Sequence, residues 1–132
     1  MTNQVKKILI VDDDPQNNSI SKMALKKSLG EVEITDFIIP EKGLEYIETN
    51  FPQKQNGDKT TLFLDLNMPT MTGWEFLEKF KLFAEPVRKQ FNIYILSSSV
   101  NPHDIERAKR NPHVIDFIEK PLSRATLLRI FS

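Results

Sequence analysis

Short β-branched runs alternate along this chain with longer stretches whose apolar residues recur every three or four positions. Ile8-Leu9-Ile10-Val11 contains no polar residue and predicts a strand buried on both faces. Asp14-Pro15 then predicts a helix start, with Asp14 as N-cap and Pro15 at the first helical position. Ile20, Met23 and Ala24 supply an i, i+3, i+4 stripe expected to face the core, and Gly30 is the expected stop. Val32 to Phe37 predicts the second strand. Pro40 opens a second helix with Leu44, Ile47 and Phe51 on one face, and Asn56-Gly57-Asp58 is turn chemistry.

Leu62-Phe63-Leu64-Asp65 predicts the third strand. Thr72-Gly73-Trp74-Glu75 has the Thr-x-x-Glu form of a capping box, and Phe76, Phe80 and Phe83 follow at helical spacing. Ile93 to Leu96 is the fourth expected strand. Asn101-Pro102 repeats the cap-plus-proline signal, with Asp104 favourable in the first turn. Val114 to Ile118 is the fifth expected strand, and Ser123 is placed to cap a last helix carrying Leu127, Ile130 and Phe131. Five strands alternating with five helices imply a parallel sheet covered on both faces. Right-handed crossovers then favour an α/β three-layer, doubly wound (βα)5 sandwich of the flavodoxin-like kind, with strand order 2-1-3-4-5.

Composition narrows the function. A chain of 132 residues suits one domain, 1–132, and the expectation is that no separate output domain is present. The absence of cysteine excludes a disulfide scaffold, a thiolate zinc site and cysteine catalysis. Eighteen basic residues balance eighteen acidic ones, which gives no reason to expect nucleic acid or an anionic membrane as partner. The longest apolar runs, Ile8 to Val11 and Ile93 to Leu96, are too short to span a bilayer or form a secretory signal. The expectation is a soluble, cytoplasmic protein.

The chemistry collects at the carboxyl ends of the expected strands. The first ends in Asp12, Asp13 and Asp14, the third in Asp65, the fourth in Ser97, Ser98 and Ser99, and the fifth is followed by Lys120. In an open α/β sheet, ligands bind beyond those ends where the strand order reverses, here between strands one and three. Asp12, Asp13 and Asp65 are therefore expected to meet, with a hydroxyl and an ammonium beside them. Packed carboxylates repel, so their pKa values rise or a cation neutralises them. An all-oxygen donor set without His or Cys selects magnesium, manganese or calcium. A divalent ion beside a free carboxylate oxygen suggests phosphoryl chemistry, with an aspartate as nucleophile forming an acyl phosphate. Lys120 and Ser97 would then contact the phosphoryl oxygens.

Val11-Asp12-Asp13, Leu64-Asp65-Leu66-Asn67-Met68-Pro69 with Gly73, Leu96-Ser97-Ser98 and Lys120-Pro121 together resemble the receiver domain of two-component response regulators, over about Lys7 to Leu128. The resemblance implies that Asp65 is the phosphoacceptor. It implies magnesium held by Asp13 and Asp65 directly, by Asp12 mainly through water, and by the Asn67 backbone carbonyl. Lys120 would pair with the acceptor carboxylate and then with the phosphoryl group. Ser97 would be the switch hydroxyl, Ser98 small enough to admit the phosphoryl donor, and Phe117 the switch aromatic. The Lys120-Pro121 peptide would be cis. A sensor histidine kinase or histidine phosphotransfer protein would be one partner and an output protein the other.

Taken singly, these residues have plainer explanations. Asp14 is an N-cap, Asp12-Asp13 a solvated turn, Asp65 a turn former and Lys120 a surface lysine; their joint placement favours a site. His103 and His113 read as surface residues. Trp74, Phe76, Phe80 and Phe83 read as core and helix packing, and Arg107, Lys109 and Arg110 as a solvated face. One competing function is a magnesium-dependent aspartyl-phosphate hydrolase of the haloacid-dehalogenase type, but that motif wants an aspartate where Asn67 stands. A second is a degenerate receiver that binds partners without phosphorylation, although the expected functional groups are all present. The favoured expectation is a stand-alone receiver. It would not be an enzyme acting on a separate substrate, and would catalyse only its own phosphorylation and dephosphorylation.

Overall fold

Side chains alternate across each strand, and that alternation divides the interior in two. The computed structural model describes residues 5–51 and 59–131. Strands β1 (Lys6–Val11), β2 (Val32–Phe37), β3 (Thr60–Leu64), β4 (Phe91–Ser97) and β5 (Val114–Glu119) form one sheet. All neighbouring pairs are parallel and the order is β2-β1-β3-β4-β5. Ile8, Ile10, Phe63, Tyr94, Leu96 and Ile118 project to one face, where Leu25 and Leu127 pack on them. Leu9, Val11, Leu62, Leu64, Ile93 and Ile95 project to the other, under Leu44, Ile47, Phe76, Phe80 and Ala108.

Helices α1 (Pro15–Leu29) and α6 (Arg124–Ile130) therefore cover one face. The other carries α2 (Pro40–Asn50), α3 (Gly73–Phe80), the short α4 (Glu85–Arg88) and α5 (Pro102–Arg110). The doubly wound (βα)5 sandwich is thus present, with one helix more than the sequence pattern predicts. That addition, α4, is a single turn begun by Glu85-Pro86, too short to produce a repeating apolar stripe. The expected Asn56-Gly57-Asp58 turn lies outside the described residues.

Helix boundaries follow the capping chemistry. The Asp14 carboxylate accepts from Gln16 N–H at 3.0 Å, Asn101 from His103 N–H at 2.8 Å, and Ser123 from Thr126 N–H at 3.1 Å. Both arms of the capping box at Thr72 and Glu75 are formed. Helix α1 ends at Gly30, whose φ of 77° suits a residue without a Cβ.

Two expectations about side chains are corrected. Ile20 and Met23 face outward, 50% and 62% exposed, and the inner face of α1 is instead Asn18, Ser21 and Leu25. The polar inner face has a cause: the buried Asn18 amide donates to the Asp12 carbonyl at 3.0 Å. His113 is half-buried with its ring edge-on to Phe80, 5.6 Å between centroids, and desolvation lowers its pKa. Arg107, Lys109 and Arg110 are exposed, as expected of a solvated face, and the Arg107 guanidinium lies 4.5 Å from the Trp74 ring centre.

Candidate functional site

The ladder registers place the reactive groups. Val11 pairs with Phe37 on one side and Leu64 on the other, so β1, β2 and β3 end level. One step further, Asp12 N–H donates to the Phe37 carbonyl at 3.0 Å and Asp65 N–H to the Val11 carbonyl at 2.9 Å. Both aspartates thus leave the sheet from fixed backbone at its carboxyl edge. Across β4, the Ser97 carbonyl accepts from Lys120 N–H at 2.8 Å, which returns the lysine to the same edge. The Lys120-Pro121 peptide is cis, as the resemblance implies.

Asp12, Asp13 and Asp65 each offer a carboxylate oxygen, and the three atoms lie within 4.8 Å of one another. Asp12 and Asp65 are buried, while Asp13 is half-buried toward solvent. The donor set is all oxygen, which fits a hard divalent cation and disfavours a soft one. Asn67 lies exposed two residues past Asp65, on the loop leading to α3. That loop is held by a close approach at Gly73: its N–H donates to the Leu66 carbonyl at 2.9 Å. A Cβ on Gly73 would stand 2.5 Å from the Asp65 carbonyl oxygen, so only glycine fits without a shift.

The Lys120 ammonium lies 2.7 Å from Asp12 Oδ2 and 3.4 Å from Asp65 Oδ1. Its nearer partner is therefore Asp12, where the resemblance emphasises the acceptor carboxylate. Burial raises the Asp65 pKa from 3.8 to about 6; the Asp12 carboxylate adds to the rise and Lys120 opposes it. For Lys120, burial disfavours the charge, but the hydrogen bond and charge of Asp12, aided by Asp65, outweigh it and raise its pKa. Both shifts are upward, the first driven chiefly by burial and the second by the pairing with Asp12.

Ser97 is wholly buried at the end of β4, and its Oγ accepts from Ser99 N–H at 3.1 Å. Ser98 and Ser99 are exposed. Phe117, opposite Ile95 in the β4–β5 register, is half-buried against the core. It borders a shallow groove of about 130 Å³ with Ile105, Ala108, Lys109 and Ile115.

The sequence model of the response regulator receiver domain matches residues 8–132. The chain belongs to this family. Among solved structures, it resembles a two-component response regulator from Cytophaga hutchinsonii with a TM-score of 0.84 at 23% identity, over 98% of this chain and 96% of that one. A response regulator receiver protein from Dyadobacter fermentans gives 0.83 at 29% identity, over 96% and 98%. A CheY-like receiver domain protein from Methanospirillum hungatei gives 0.73 at 25% identity, over 97% and 91%. No curated protein matches the chain significantly. No helix among the described residues of this receiver domain is long and apolar enough to cross a membrane.

Two site residues have no counterpart in the sequence reading. Asn17 donates to Asp12 Oδ2 at 2.7 Å, and Asn18 holds the Asp12 carbonyl from the next position. Both fall in or just after the first turn of α1, and two asparagines in the helix that follows the acidic strand end were the available signal. Trp74 is likewise more than packing. Its indole N–H donates to Asp104 at 3.2 Å while its ring receives Arg107, tying α3 to α5 next to Gly73.

Proposed function

We propose that this receiver domain is a phosphorylation-controlled interaction switch whose acceptor is Asp65. The observation that carries the reading is the meeting of Asp12, Asp13 and Asp65 with the Lys120 ammonium at the carboxyl edge of the sheet. An Asp65 carboxylate oxygen attacks the phosphorus of a phosphohistidine on a histidine kinase or phosphotransfer protein. The new O–P bond forms as the P–N bond breaks, and the histidine nitrogen leaves with the electron pair and takes a proton from solvent. Asp12, Asp13, Asp65 and the Asn67 carbonyl would hold magnesium, which when bound offsets negative charge on the acceptor and the phosphoryl oxygens. Lys120 supplies a further positive charge to the phosphoryl group, and the Ser97 hydroxyl a hydrogen bond.

The donor is another protein, and elements that meet at the carboxyl edge of the sheet carry exposed apolar side chains. Ile38 and Ile39 follow β2 at the site edge, and Ile20 and Met23 project from α1, which begins there. The adjacent exposed pair Ile38 and Ile39 suits a docking surface. On the output side, rotation of Ser97 toward the phosphoryl group frees space for Phe117 and remodels the groove beside α5. The partner reading that groove is a further protein. The domain catalyses only its own phosphorylation and dephosphorylation; an aspartyl-phosphate hydrolase would need a general acid where Asn67 stands.

The test is phosphorylation with acetyl phosphate or a phosphorylated kinase, with and without magnesium, followed by mapping of the modified residue. An acid-labile group on Asp65 that requires magnesium and vanishes in Asp65→Asn is the expected result. An acid-stable group, or one mapped to another residue, would overturn the reading.

A further inference from the structure

The carboxylate of Asp12 is engaged on both oxygens. Oδ1 accepts from Asp14 N–H at 3.0 Å, and Oδ2 accepts from the Asn17 amide at 2.7 Å and the Lys120 ammonium at 2.7 Å. With 1% of its surface exposed, Asp12 has almost no access to solvent that could replace a lost partner. Lys120 also pairs with Asp65, but at the longer distance of 3.4 Å, so at rest it leans on Asp12. A phosphoryl group on Asp65 would add a second strong acceptor for the ammonium and draw it away from Asp12.

Loosening that hold has a cost that Asn17 reduces. A buried carboxylate that gives up its ammonium partner is strongly destabilised unless other donors remain. Without Asn17, the Asp14 N–H would be the one protein donor left to Asp12, beside the magnesium that Asp12 would hold mainly through water. With Asn17, the oxygen that Lys120 leaves retains a short hydrogen bond from an amide in the first turn of α1, where the helix dipole also favours negative charge. We propose that Asn17 is a positioning residue for phosphoryl transfer, the donor that lets Asp12 release Lys120 toward Asp65. The proposal rests on the functional reading above. It assigns Asn17 no contact with the phosphoryl group; its action passes through Asp12 and Lys120.

The test is a double-mutant cycle. Asn17→Leu keeps the branched outline of the side chain and removes the donor. Phosphorylation of Asp65 by acetyl phosphate at saturating magnesium should slow about tenfold, the loss expected for one hydrogen bond to a charged group. In a Lys120→Ala background the same substitution should have no further effect, because the group it frees is gone. A second readout is independent of turnover. The ¹⁵Nζ resonance of Lys120, followed on addition of magnesium and beryllofluoride, should shift in the unsubstituted protein and stay near its starting position in Asn17→Leu. An unimpaired rate in Asn17→Leu, or a loss that persists undiminished beside Lys120→Ala, would overturn the role of Asn17 alone. A chain that takes no phosphoryl group on Asp65 would overturn the functional reading, and this one with it.

Discussion

Gly73 sits against the backbone of Asp65, so close that a Cβ there would lie 2.5 Å from the Asp65 carbonyl oxygen and 2.9 Å from the Leu66 side chain. The start of α3 and the proposed acceptor thus share one rigid backbone contact. Gly73→Ala must push one of them away. Overpacking of this kind costs about 1–3 kcal/mol. Urea unfolding should show a loss in that range, together with slower phosphorylation of Asp65, since in-line transfer depends on its position. Wild-type stability and rate would mean that the loop yields freely.

The raised pKa of Asp65 makes stability depend on pH in a definite direction. An acid whose folded pKa is about 6 against an ordinary 3.8 holds its proton longer when folded. As pH rises from about 4 to 6, the folded state must give up a proton that the unfolded state has already lost, so stability falls over that window and the penalty is complete above it. Asp65→Asn removes the penalty. Without magnesium, the variant should be more stable than the wild type at pH 7.5 by on the order of 2 kcal/mol, and the difference should vanish below about pH 4. Thermal unfolding of both proteins across that range gives the answer; an Asp65→Asn protein less stable at pH 7.5 would reverse the sign.

Ser97→Ala separates chemistry from switching. It leaves Asp65, Asp13 and Lys120 in place, so phosphorylation should continue. The response around Phe117 and α5 should shrink, because one hydrogen bond to a charged group is worth about 1.5–3 kcal/mol, a ten- to hundredfold shift in a two-state population. Amide chemical shifts along α5, with and without beryllofluoride, report it. A full wild-type response in Ser97→Ala would remove the hydroxyl from the coupling.

The inner face of α1 offers an opposite pair of substitutions. Ser21 Oγ is fully buried without a hydrogen-bond partner, whereas the neighbouring Asn18 amide holds the Asp12 carbonyl. Ser21→Ala should leave stability unchanged or raise it by up to about 1 kcal/mol, while Asn18→Ala should cost about 1–3 kcal/mol. Denaturant midpoints of the two variants moving in the same direction would contradict this.

Helix α1 also shows where the sequence was legible and where it was not. The strands were readable because runs such as Ile8 to Val11 are apolar on both faces, and the helix starts because Asp14, Thr72, Asn101 and Ser123 are true side-chain caps. The clustering of Asp12, Asp13 and Asp65 followed from strand order, since every reactive residue came at a strand end. Apolar periodicity failed on α1, where Asn18 takes an inward position to serve the site and Ile20 and Met23 are left outside. It missed Asn17 for the same reason: a polar residue in a first helical turn is ordinary until its partner is known. The single turn of α4 and the half-burial of His113 depend on how Val87 and Phe80 pack, which short-range patterns do not encode.

Trp74 is the one tryptophan in the chain, and it is held between the carboxylate of Asp104 and the guanidinium of Arg107 while following directly on Gly73. Light absorbed by the indole is therefore emitted from a single place, the seam joining the acceptor loop to α5. Any rearrangement that draws α5 away from α3 removes a cation from the ring face and a carboxylate from the indole N–H, and both changes alter the emission. The unlabelled protein thus carries its own optical gauge of the proposed switch. Stopped-flow fluorescence after mixing with acetyl phosphate would time any movement of α5 against α3.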